Sequence, residues 1–192
     1  IKPWEDKELY DKLAKARDCG AVAIGMDIDA AGLITLRKMG RPVTPKSLDA
    51  LRQIVAKVGT KFILKGIMTV QDAEMALEAG TDAIVVSNHG GRVLDHTPGT
   101  AEVLPGIAGR LKGKMDILVD GGVRTGADVL KMLALGADAV LIGRPFSICA
   151  MGGLTDGVAA FIESLRTELM QAMVMTGTPS VDKVSDRILY RS

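Results

Sequence analysis

Aromatic side chains are scarce. Phe, Tyr and Trp make up 3% of the 192 residues, too few to fill an aromatic-rich β-sandwich. Cysteine is nearly absent: Cys19 and Cys149 lie far apart, in apolar or small-residue surroundings. They give no disulfide framework and no metal pair, and they read as buried thiols of a reducing compartment. Neither sign of charge dominates. Lys and Arg number 24 against 23 Asp and Glu, a net charge of +1, which argues against a nucleic-acid or membrane surface. No run reaches the roughly 18 apolar residues of a membrane span. The first residues, IKPWEDKELY, lack the apolar core and cleavage site of a signal peptide. The expected location is cytoplasmic.

Glycine is plentiful, with 22 residues, alongside alanine and valine, and such small residues suit layered α/β packing. At 47% hydrophobic and 24% charged, the chain has the make-up of a globular domain with one core. Helical and extended patterns alternate. Residues 5–18 carry Leu9, Leu13 and Ala16 at helical spacing, and residues 21–26 (AVAIGM) form an apolar strand stopping at Asp27 and Asp29. Residues 30–44 read as a loop with partial helical character. Thr44-Pro45-Lys46-Ser47 marks a helix start, with proline in the first turn, and the helix reaches about Val58. A strand follows at 61–64 (KFIL), then a helix capped by Thr69 and closed by Gly80. The remaining elements are strand 83–86, helix 100–111, strand 116–119, a helix from Thr125 to Leu135, strand 139–142 and a long helix over 155–176. The tail carries one short helix.

An internal repeat supports this division. Residues 66–86 (GIMTVQDAEMALEAGTDAIVV) and 122–142 (GVRTGADVLKMLALGADAVLI) match at an offset of 56 residues. Its aspartates, Asp72, Asp82, Asp128 and Asp138, sit near helix and strand starts and read as structural. Strands alternating with helices imply a parallel sheet with right-handed crossovers. Each strand ends in polar or glycine-rich residues: Asp27, Lys65, the pair His89 and Arg92, Asp120-Gly121-Gly122, and Gly143-Arg144. The carboxyl edge of a parallel sheet is where barrels and doubly wound sheets bind ligands. Gly121-Gly122 with Arg124, and Gly143 with Arg144, offer backbone N–H groups and cations near helix starts, which suits a phosphate. In (β/α)8 barrels that site follows strands seven and eight. The fold expected is therefore α/β, a single domain over residues 1–192 comprising about strands 4–8 of a (β/α)8 barrel. Its phosphate loops lie within 120–145 and its C-terminal helices within 155–190.

Three motifs, SNHGGR-x-LD (87–95), DGGVR-x-G-x-D (120–128) and IGRP (142–145), resemble the FMN-dependent α-hydroxy-acid oxidases and dehydrogenases, among them glycolate oxidase and lactate oxidase. The resemblance covers roughly residues 20–185 and implies oxidation of an L-2-hydroxy acid to a 2-oxo acid, with O2 or another acceptor reoxidising FMN. It implies His89 as the base that takes the substrate proton, and Asp27 as the aspartate that contacts this histidine. Asp29 competes for that role, with the alignment favouring Asp27. It further implies Arg92 as the partner of the substrate carboxylate, Lys65 near the flavin ring edge and Ser87 close to the ring system. The ribityl-phosphate site falls to Asp120, Gly121, Gly122, Arg124, Gly143 and Arg144.

The residue types suit this chemistry independently. An imidazole titrates near neutral pH, a carboxylate beside it fixes its tautomer, and an arginine fork suits a carboxylate. The ten methionines fit helix-face packing, and no metal site is expected. One departure is visible. The family's second substrate-binding arginine has no counterpart in DIDAAGLITLRKMG (27–40), where the first arginine is Arg37. Another flavin barrel, such as a type 2 isopentenyl-diphosphate isomerase, is an alternative against which the SNHGGR segment argues. The rival of a different class is a catalytically incomplete half that needs the N-terminal part of the barrel. With strands missing, exposed edges favour association with that half or self-association into a homo-oligomer.

Overall fold

Five parallel strands lie side by side in chain order in the computed structural model, which describes residues 1–190. They are β1 (Ala23–Asp27), β2 (Lys61–Ile67), β3 (Ala83–Val86), β4 (Asp116–Val119) and β5 (Ala139–Val140). A doubly wound sheet reverses its strand order at a switch point. The order here, β1-β2-β3-β4-β5, never reverses, as in a (β/α)8 barrel. The sheet also extends one residue beyond β1. The Ile1 nitrogen donates to the Gly25 carbonyl, and the Ile1 carbonyl accepts from Asp27 N at 3.0 Å. Bonding to residues on either side of Met26 is the pattern of a parallel neighbour.

The helices are α1 (Asp6–Asp18), before β1, then α2 (Ile34–Lys38), α3 (Leu48–Val58), α4 (Val70–Glu78), α5 (Thr100–Leu111) and α6 (Gly126–Ala134) between strands, and α7 (Arg144–Thr176) after β5. Alternation within each strand puts one set of side chains under the helices. Ile24 and Met26, Phe62 and Leu64, Ile84 and Val86, and Ile117 and Val119 are all buried there, packed with Leu9, Ile54, Leu104, Ile107 and Leu111. Each such side chain contributes about 1.5–3 kcal/mol by leaving water.

The repeat is structural, as its aspartates suggested. Thr69 and Thr125 cap α4 and α6 by accepting from Asp72 N (3.0 Å) and Asp128 N (3.1 Å). Asp82 accepts from Phe62 N at 2.9 Å, and Asp138 from Ile117 N at 2.8 Å. Each aspartate ties the start of one strand to its neighbour.

Several boundaries differ from the sequence reading. α3 begins at Leu48, because the Ser47 hydroxyl accepts from Ala50 N and is itself the cap, which leaves Pro45 outside the helix. β2 continues to Ile67 through a register shift between Lys65 and Ile67, and β5 stops at Val140. α7 begins at Arg144 rather than 155, so the C-terminal helical region starts earlier than 155–190. It is broken at Leu154 (φ 48°, ψ −134°), and Phe146 and Phe161 meet edge to face across the break at 5.0 Å. By length and composition α7 could cross a membrane, whereas the sequence reading expects no run of that kind. The tail forms two 3-10 turns, Val181–Lys183 and Asp186–Ile188, instead of one helix.

Candidate active site

β3 ends at Val86, the buried Ser87 follows at the carboxyl edge, and the chain then turns sharply. His89 adopts φ 56°, a left-handed conformation that costs a residue with a Cβ roughly 1–2 kcal/mol. Local bonds hold it there. The Ser87 hydroxyl accepts from His89 N at 3.2 Å, Asn88 Oδ1 accepts from Gly90 N at 3.1 Å, and Asn88 Nδ2 donates to the Pro98 carbonyl at 3.3 Å. A strained residue fixed this firmly presents its side chain in one direction.

The 3-10 turn Ile28–Gly32, directly after β1, carries Asp29 to this histidine. Asp29 Oδ2 lies 3.1 Å from His89 Nδ1, and both side chains are largely buried. This corrects the expectation that Asp27 makes the contact. β1 and β2 are in register at Asp27 and Lys65, so the Asp27 carboxylate faces an ammonium instead: Lys65 Nζ is 3.5 Å from its Oδ1. Its other oxygen is taken by Lys2 Nζ at 2.5 Å. Burial alone would push the Asp27 carboxyl up, but the hydrogen bond and charge of Lys2, with Lys65 and His89 beyond, hold it below the usual carboxylate range. One oxygen or ring nitrogen from each of Asp27, Asp29 and His89 lies within 4.8 Å of the others. The two ammoniums on Asp27 make this trio unattractive to a divalent cation.

Lys2 was not singled out in the sequence. At position 2 it has no motif around it, and only the pairing of Ile1 beside β1 places it over Asp27. It begins a row of alternating charge across the strand ends. Lys65 links Asp27 to Asp120, whose Oδ2 is 3.4 Å away, and donates to the Ser87 hydroxyl at 2.9 Å.

Asp27, Lys65, His89, Arg92, Asp120, Gly121, Gly122, Arg124, Gly143 and Arg144 line one cleft of about 220 Å³, while Ser87 is buried beside it and Asp29 reaches it only through His89. Arg92 donates from Nε to the His89 carbonyl at 3.1 Å, which sets its guanidinium beside the imidazole. Its terminal nitrogens have no acceptor among the described residues. In the same cleft, Gly121 and Gly122 have φ +98° and +77°, and Gly143 precedes a helix start without a side-chain cap. A Cβ at Gly90 would lie 2.8 Å from Arg144 Nη2, so that glycine lets the arginine lie against the histidine turn. Arg124 N and Thr125 N both donate to Asp128 Oδ2, at 3.0 and 3.1 Å, which anchors the Gly-rich loop to α6. The cleft thus joins a carboxylate-backed imidazole, a free guanidinium and two backbone cradles with cations.

Known proteins resemble this chain in sequence and fold. The sequence profile described as FMN-dependent dehydrogenase matches residues 7–191. A 2-hydroxyacid oxidase of Dictyostelium discoideum is 47% identical over 129 residues, 67% of this chain and 33% of that protein. An L-lactate dehydrogenase of Xanthomonas campestris pv. campestris (strain B100) is 47% identical over 130 residues, 68% of this chain and 34% of that protein. A mandelate oxidase solved with benzoyl-formic acid superposes with a TM-score of 0.86 at 34% identity, covering 96% of this chain and 61% of that one. The chain thus spans about one third of the curated relatives' length. It belongs to the FMN-dependent dehydrogenase family, whose cofactor is FMN.

Proposed function

We propose that this chain supplies the base, the carboxylate clamp and the phosphate cradle of an enzyme that oxidises an L-2-hydroxy acid to a 2-oxo acid. The observation that carries the reading is the Asp29–His89 pair, with Arg92 beside it, in the same cleft as the two glycine loops.

The loops fit FMN. A Cβ at Gly122 or Gly143 would meet nothing within 4 Å, so both backbones face open space. Arg124, Arg144 and the uncapped start of α7 would hold the phosphate. Asp120 Oδ1 is buried without a donor among the described residues, an acceptor suited to a hydroxyl of the polyol chain. When bound, FMN takes up the two electrons that leave the substrate α-carbon.

The remaining work falls to the chain. The Arg92 fork receives the substrate carboxylate. Asp29 accepts from Nδ1–H of His89, which leaves Nε2 free to take the proton from the substrate α-carbon or hydroxyl. The same carboxylate then stabilises the imidazolium. Lys65 is the ammonium that would offset negative charge on the reduced ring. In the complete protein, His89→Gln should lose roughly 10²–10⁴-fold in turnover while retaining flavin. Near-normal 2-oxo acid formation by that variant would remove His89 as the base.

A second reading concerns completeness. The inner face of the sheet is partly open, and the chain spans a third of its curated relatives. We infer that the isolated chain turns over little or no substrate and needs the remaining strands, from another polypeptide or from self-association. Clear 2-oxo acid formation from L-lactate or glycolate by the pure chain with FMN would overturn this.

A further inference from the structure

We infer that Gly66 is a positioning residue for His89, acting through Asp29. Among the described residues, one polar group holds the Asp29 carboxylate. Its Oδ2 bonds His89 Nδ1 at 3.1 Å, while its Oδ1 is buried and has no donor among the described residues. A carboxylate with no second donor is held in place by what it packs against, and that is the backbone of Gly66. A Cβ built at Gly66 would lie 2.7 Å from Asp29 Cγ, 2.8 Å from Asp29 Cβ and 3.0 Å from Asp29 N. Two of these are closer than non-bonded carbon atoms approach, and all three belong to one residue, partly its backbone.

The strand is built to present this bare surface. Gly66 has φ +103° and sits at the register shift between Lys65 and Ile67, where β2 slips against β3. Such a bulge re-aims the strand locally. Here it keeps Lys65 in the cleft and turns an atom-free face toward the 3-10 turn that carries Asp29. Any side chain at position 66 must push that turn outward, and the 3.1 Å bond to His89 is the first to break. The consequence is chemical as well as steric. With Asp29 in place the neutral ring carries its proton on Nδ1; without it the ring is free to take the other tautomer, which has a protonated Nε2 and cannot accept a proton there.

The importance of this for catalysis rests on His89 being the base, but the positioning itself is read without any turnover. The chain has two histidines, and His96 is exposed, so it serves as an internal reference. Long-range proton–nitrogen NMR on the 15N-histidine-labelled chain, at a pH where both rings are neutral, reports the tautomer of each. The native chain should show His89 with its proton on Nδ1. Gly66→Ala should lose that signature as fully as Asp29→Ala does. Gly20→Ala should keep it, because Gly20 has a similar φ of +77° but nothing within 4 Å, and so separates backbone strain from displacement of Asp29. Retention of the Nδ1–H signature in Gly66→Ala, or its absence from the native chain, would overturn the inference. If Gly66→Ala fails to fold, the comparison moves to the Asp29→Gly background, where the clashing Cβ and Cγ are gone. There Gly66→Ala should fold and keep nearly the urea midpoint of its Asp29→Gly parent; failure to fold in that background too would overturn the inference. Retained turnover in His89→Gln would leave this result standing, so the two failures are distinguishable.

Discussion

On the side of the sheet that meets α1, α3, α4 and α5, the strand residues Met26, Phe62, Ile84 and Ile117 are completely buried. On the other side Gly25, Ile63, Lys65 and Leu118 stay partly or wholly open. The first side is a finished core, in which the chain supplies both layers. The second is one wall of a space whose other walls would come from further strands. The chemical groups all stand at the carboxyl rim of that second side. α7 shares the unfinished character: Ile148, Met151, Val174 and Met175 are exposed, and Pro145 is its buried residue. One face of this sheet is therefore fully packed while the face that carries the site stays partly open.

The comparison can be broken by substitution. The largest effect is expected at Gly126, where α6 and α7 touch backbone to backbone. A Cβ there would lie 2.1 Å from Leu169 N and 2.5 Å from Leu165 O, and neither can yield. Gly126→Ala should cost about 4–5 kcal/mol and release α7 to limited proteolysis. Phe62→Ala empties a site on the closed face and should cost about 3–5 kcal/mol in urea unfolding, whereas Leu118→Ala on the open face should cost less than about 1.5 kcal/mol. Equal losses would mean that the two faces do not differ in packing. Thr125→Ala removes the cap of α6 and should cost about 1 kcal/mol. The smallest effect concerns acid. Asp27 is held below the usual carboxylate range, so the stability it contributes is present above about pH 4 and is lost as pH falls through its lowered folded-state value. Asp27→Asn should flatten the acid limb of a stability–pH curve, and an unchanged limb would show that the Lys2–Asp27 pair contributes nothing.

The fold was legible because its signals are local. The strand 83–86 and the helix 100–111 match the structure residue for residue: the first is an unbroken apolar run, and the second follows Gly99 with Leu104, Ile107, Ala108 and Leu111 at helical spacing. The start of α3 was misplaced because Pro45 and Ser47 compete as start signals, and only the Ser47 bond to Ala50 N decides between them. The site was legible in its motif residues and obscure where register matters. Asp27 and Asp29 are two positions apart, and nothing local says that one faces Lys65 while a 3-10 turn carries the other to His89. Lys2 enters through a contact with a residue 25 positions away, which no pattern in the sequence announces.

The most direct test of the account is anaerobic reduction of bound flavin. The complete protein, loaded with FMN and mixed with an L-2-hydroxy acid such as L-lactate in the absence of O2, should lose its flavin absorbance quickly. The His89→Gln protein should show the same starting spectrum and lose it at least 100-fold more slowly, the low end of what a positioned base contributes (roughly 10²–10⁴). Equal rates of bleaching in the two proteins would contradict the central claim that the Asp29–His89 pair removes the substrate proton.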